Sequence, residues 1–79
     1  MNLIELFMGD IVDRTLSLIG VNNPHKNTIN VVMNSKTATF IEDMIVAAYK
    51  IGEEFTIWKD IVIVRNEEFY DGEYEVYIS

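Results

Sequence analysis

Asn66-Glu67-Glu68-Phe69-Tyr70-Asp71-Gly72-Glu73-Tyr74-Glu75-Val76-Tyr77 decides how the rest of the chain is read. Asp71-Gly72 supplies the positive φ angles of a tight turn, and aromatic residues alternate with carboxylates on both sides of it. The stretch therefore predicts a β-hairpin with an acidic rim. A two-residue turn would set Tyr70 opposite Glu73, Phe69 opposite Tyr74 and Glu68 opposite Glu75. Like charges directly opposite destabilise a sheet, within the ~0.2–1 kcal/mol range of cross-strand pairs. Such carboxylates are expected either to be well solvated or to serve a partner. Glu67, Glu68, Asp71, Glu73 and Glu75 have no Lys or Arg among them.

Working back from this segment, Ile61-Val62-Ile63-Val64 is apolar on both faces, the pattern of a central strand. Glu54 to Trp58 alternates around Phe55 and Ile57 and predicts another strand, joined to it by a Lys59-Asp60 turn. Upstream the period becomes helical, from near Lys36 to Ile51. Phe40, Met44, Ala47 and Ile51 form one stripe, with Ile41, Ile45 and Ala48 beside it. Thr39 and Glu42 have capping-box spacing, and Gly52 ends the helix at C′. Glu42 and Asp43 early and Lys50 late suit the helix dipole. Residues 28–34 read as a strand, with Ile29, Val31 and Met33 on one side and Asn30, Val32 and Asn34 on the other. Residues 21–27 are loop by composition, around Pro24 and His25. The first twenty residues admit either a helix over 2–13 followed by a strand over 14–20, or one helix to Ile19. The Gly9-Asp10 pair and the alternation of Thr15-Leu16-Ser17-Leu18 favour the former.

The resulting order predicts a single small α+β domain over 1–79. Its sheet would be largely antiparallel, of about four to five strands, with two helices packed on one face. A chain of 79 residues buries only roughly 60 % of its unfolded surface, so a partner subunit could supplement its core. At 49 % hydrophobic it is too apolar for disorder, and no run approaches the ~20 apolar residues of a membrane span. The N-terminal residues lack the features of a signal peptide, and cysteine is absent. Both fit a cytoplasmic protein stabilised by packing alone.

Net charge is −7 and lies wholly in the second half. Residues 1–39 balance Glu5, Asp10 and Asp13 against Arg14, Lys26 and Lys36. An anionic surface argues against direct nucleic-acid binding and for a basic protein partner. Catalysis is not expected. His25, the only histidine, sits in a Pro-Asn loop without a nucleophile and base arrangement, and the four glycines are isolated rather than grouped in a phosphate loop. No cofactor is expected. Clustered carboxylates could attract Ca²⁺, but the spacing is not that of a calcium-binding loop, and strand alternation would spread the acids instead of closing them around an ion.

Mimicry of nucleic acid remains. Carboxylates two apart on a strand are ~6.6 Å apart, against ~3.4 Å between phosphates along one DNA strand. Two hairpin strands together with Glu53, Glu54, Asp60, Glu42 and Asp43 could reach a comparable density. The competing reading is a solvated face that confers solubility. Phe69, Tyr70 and Trp58 offer a different route, an apolar patch for assembly.

A cysteine-free acidic chain below a hundred residues, carrying Glu67-Glu68-Phe69-Tyr70-Asp71-Gly72-Glu73-Tyr74-Glu75, resembles the small host-takeover proteins of bacteriophages. Among these it is most similar to the DNA-mimic inhibitors of the nucleoid protein HU. Phage anti-CRISPR proteins and inhibitors of uracil-DNA glycosylase share the same character. The resemblance implies a homodimer that lays its carboxylates against the DNA-binding surface of HU in the host cytoplasm and displaces DNA. The neutral first half makes that surface one-sided unless a dimer doubles it.

Overall fold

Ile4, Phe7, Met8, Ile11 and Thr15 recur at steps of three and four residues. In the computed structural model, which describes residues 3–19 and 28–78, all five are buried on one face of a single helix, α1 (Leu3–Ile19). The strand expected over 14–20 is therefore replaced by helix through Ile19. The stripe continues past Ile11 in a polar residue, Thr15, which a count of apolar positions misses. Asp10, far from ending the helix, pairs with Arg14 one turn on at 2.8 Å. The alternating Leu16 and Leu18 are 50 % and 58 % exposed. The loop expected over 21–27, with His25, lies outside the described residues.

The central strand β1 (Ile29–Met33) buries Ile29, Val31 and Met33. It leads directly into α2 (Ser35–Lys50), whose N-cap is Asn34. Asn34 is thus a cap and not the last residue of a strand. The buried face of α2 is Thr37, Ala38, Ile41, Ile45 and Ala48. Of the stripe expected to lead the packing, Met44 is half-buried, while Ala47, Phe40 and Ile51 are exposed. The helix is rotated by about one residue step, so that Ala38, Ile41, Ile45 and Ala48 are the side chains it contributes to the core. Gly52, at φ 91°, takes the left-handed C′ position. Its N–H donates to Tyr49 O (3.1 Å) and that of Glu53 to Ala48 O (3.0 Å), the paired bonds of a Schellman cap.

A short 3-10 helix (Thr56–Asp60) follows, then β2 (Ile61–Arg65), and β3 (Glu75–Ile78) closes the sheet. The strand order is β2-β1-β3. β2 runs parallel to β1, Ile29 opposite Ile61 and Met33 opposite Arg65. β3 runs antiparallel, Ile29 opposite Ile78 and Val32 opposite Glu75. The sheet is thus mixed and three-stranded, not largely antiparallel with four or five. A helix of 16 residues rises ~24 Å, enough to carry the chain back to the end where β1 began. A strand that follows it must then lie parallel to the first. Residues 54–58 do not form a strand, since from Thr56 they coil into the 3-10 turn. Ile61 to Val64, apolar on both faces, occupies an edge and not the centre.

Both helices cover the side of the sheet that carries Ile29, Val31 and Met33, and their buried side chains join these strand residues in one core cluster. The other side displays Val62 (47 % exposed), Val64 (40 %) and Tyr77 (52 %). Among the described residues no helix is long and apolar enough to cross a membrane.

Candidate functional site

Strands β1 and β2 finish at the same end of the sheet, and there the acidic segment meets the N-terminus of α2. Asp71-Gly72 does turn the chain: Glu73 N donates to Tyr70 O at 3.0 Å and Gly72 has φ 83°. The flanks nevertheless do not pair. β2 and β3 are separated by β1, so Glu75 stands opposite Val32 and the expected Glu68–Glu75 contact does not exist. Residues 66–74 instead cross over the end of β1.

What holds this crossing is the group of orphan donors that any helix leaves at its start. Asn34 Oδ1 accepts from Thr37 N at 2.7 Å, while its Nδ2 donates to Phe69 O at 3.0 Å and Asp71 Oδ1 at 2.8 Å. Glu67 accepts from Ser35 N at 2.8 Å and from the Ser35 hydroxyl. Gly72 N donates to Thr37 Oγ1 at 2.9 Å, and Asn66 N to Met33 O at 2.8 Å. Lys36 Nζ lies 3.3 Å from Asp71 Oδ2. Arg65 spans the same end, donating to Ser35 O at 3.0 Å and pairing with Glu42 at 2.6 Å. Thr39 and Glu42 are thus partners of Arg65 inside the helix, not a capping box.

Glu67 and Asp71 complement the positive end of the helix dipole, so two of the five acids have a structural role. Hydrogen bonds from the Ser35 hydroxyl and amide hold the Glu67 carboxyl below its usual range, and the Asn34 amide and Lys36 do the same for Asp71. Their contribution to stability is present above the ordinary carboxylate range and is lost as the pH falls through these lowered values. Glu73 accepts from Tyr70 N at 2.9 Å and Glu75 from the Tyr77 hydroxyl, both local bonds. Glu68 is exposed.

Of the ten carboxylates singled out from the sequence, the structure brings Glu42, Glu67, Glu68, Asp71, Glu73 and Glu75 to this one end, where the described cations are Lys36 and Arg65. Asp43 lies exposed on α2. Glu53, Glu54 and Asp60 belong to the opposite end, where β1 and β2 begin, ~20 Å away along β2. One oxygen of Glu53 is buried with no hydrogen-bond partner among the described residues, so it is turned away from solvent. Phe69, Tyr70 and Trp58 do not assemble into one patch. Trp58 precedes β2, whereas Phe69 and Tyr70 follow it, and only Tyr70 is strongly exposed, at 80 %. Among the described residues no three His, Asp or Glu side chains converge to hold a metal ion.

Asn34, Ser35, Thr37 and Arg65 were not among the expected site residues, although they position the acids that were. Asn34-Ser35 directly ahead of an apolar helical stripe is a start signal and marks the place where carboxylates are welcome.

A second cluster ties this segment to α1. Tyr74 packs edge-on against Phe7, ring centroids 5.1 Å apart, beneath the Arg14 guanidinium at 4.9 Å. Its hydroxyl donates to Asp10. Burial first, then the Asp10 carboxylate, pushes its phenol up from 10.0 to about 12. A raised value means that the fold favours the protonated phenol. The resulting stability is complete below the unfolded value near 10 and is lost as the pH rises towards about 12. Tyr74→Phe is expected to lose less stability than wild type between about pH 8 and about pH 11, measured by chemical denaturation. Equal losses would show that this hydroxyl is not coupled to folding.

No family model, curated protein or solved structure matches this chain.

Proposed function

We propose that the protein is a non-enzymatic DNA mimic, which occupies the DNA-binding surface of a basic bacterial protein with its acidic end and blocks DNA from binding there. The resemblance to phage inhibitors makes HU, in the host cytoplasm, the target to test first, and a homodimer would double the surface. The observation that carries this reading is the gathering of six carboxylates at one end of the sheet, five of them held by hydrogen bonds or an ion pair. Glu42, Glu67 and Asp71 are anchored on α2 or its start, Glu73 and Glu75 are held by local hydrogen bonds, and Glu68 is exposed beside them. Charges held in place lose little freedom on binding, and the Lys and Arg side chains of a groove built for phosphates can neutralise them in the same way.

Glu68→Lys with Glu75→Lys tests this. Neither side chain holds the start of α2, so circular dichroism should be unchanged, while affinity for HU should fall by at least about tenfold. Unchanged affinity in a folded double variant would remove the proposal. Glu67 and Asp71 are unsuitable for the test because their loss would disturb the crossing segment itself.

The open side of the sheet favours a second reading, an assembly module. Val62, Val64 and Tyr77 form an apolar surface that neither helix covers. Association through it would be nearly indifferent to salt, which separates it from mimicry.

A further inference from the structure

At the end of the sheet away from the acidic segment, a groove runs between α1 and residues 54–57. Met8, Gly9 and Val12 form one wall, Phe55, Thr56 and Ile57 the other, and its volume is about 550 Å³. Val12, Thr56 and Ile57 also line an adjoining hollow that reaches Leu16, Ile29 and Asp60. The floor is apolar. The rim is carboxylate, with Asp13 and Glu54 on the first hollow and Asp60 on the second, and no Lys or Arg among the described residues lines either.

Two further observations make this more than a surface hollow. Gly9 sits inside α1, where glycine weakens a helix relative to alanine. The fold does not require it: a Cβ at this position would meet nothing within 4 Å. Glycine in such a place permits another body to approach the helix backbone closely. Thr15, lining the adjoining hollow, is 3 % exposed, and its hydroxyl has no hydrogen-bond partner among the described residues.

We infer that this groove is a docking site for the apolar face of a basic amphipathic helix supplied by a partner protein. Positions 5, 8, 9, 12, 13 and 16 follow one side of α1 for about three turns, a length that suits apolar anchors at helical spacing laid into a groove. The acidic rim selects a partner whose flanking residues are Lys and Arg. The site is separate from the acidic end and does not rest on the mimicry reading.

The test uses a fluorescently labelled Leu/Lys peptide of about 14 residues, patterned as an amphipathic helix, with binding followed by anisotropy on the full chain. It should bind wild type and bind Gly9→Leu at least about tenfold more weakly, with no fall in the melting temperature of that variant. Asp13→Lys with Glu54→Lys, both exposed residues, should weaken binding similarly and decides the matter if Gly9→Leu does not fold. Glu68→Lys with Glu75→Lys, at the other end, should leave it unchanged. The inference is overturned if the peptide does not bind, if binding survives both groove variants, or if oligolysine of the same length binds as well as the Leu/Lys peptide.

Discussion

Ile45→Ala is expected to destabilise the domain by about 2–4 kcal/mol, whereas Phe40→Ala, which removes a larger side chain from the same helix, should cost less than about 1 kcal/mol. Ile45 is 4 % exposed and belongs to the core cluster beneath α2; Phe40 is 51 % exposed. Truncating the first leaves a cavity inside the core cluster, so the lost transfer energy and the cavity term add. Truncating the second removes surface that was already half in water. For a domain of this size each kcal/mol moves the melting temperature by roughly 4–8 °C. Thermal denaturation should therefore separate the two variants plainly. The opposite ranking would mean that α2 presents its Phe40 stripe to the sheet, and the placement of every carboxylate on α2 would have to be redrawn.

Asn34→Ala should cost about 2–3 kcal/mol, more than an ordinary N-cap replacement of ~1 kcal/mol. Asn34 is 7 % exposed and serves two elements at once. Its Oδ1 satisfies the Thr37 amide, and its Nδ2 holds Phe69 O and Asp71 of the crossing segment. Alanine leaves a buried amide and a half-buried carbonyl without these partners, and also releases the carboxylate that neutralises Lys36. Asn34→Asp distinguishes these roles: it keeps the cap acceptor but loses both donor bonds and faces Asp71 with a like charge, so it should recover little. If Asn34→Asp were as stable as wild type in urea denaturation, the tie to residues 69–71 would contribute nothing.

The sequence was most legible where period and packing agree. Ile29, Val31 and Met33 read correctly as the buried side of a strand, the second helix ended at Gly52 as expected, and Asp71-Gly72 did mark a turn. The errors share a physical origin in contacts distant in sequence. A hairpin was expected around the turn because local alternation says nothing of which strand lies beside which, and β1 inserts between β2 and β3. The apolar run Ile61 to Val64 looked central, as strands of parallel sheets do, yet in so small a sheet it takes an edge. The helix between it and β1 was the available sign of a parallel crossover. Thr15 broke an apolar count without breaking the helix. Of the acids, their concentration after Asn66 was visible. That Glu67 and Asp71 serve the start of α2, and that Glu53, Glu54 and Asp60 lie at the far end, follows only from topology.

The most direct test of the central claim is to titrate the protein into a complex of HU with labelled duplex DNA, following DNA release by anisotropy at low and at moderate salt. Mimicry predicts that DNA is displaced in proportion to added protein, and that affinity for HU declines steeply with salt, as it does for ligands that act by counterion release. DNA remaining bound at saturating protein, or an affinity that salt leaves unchanged, would contradict it.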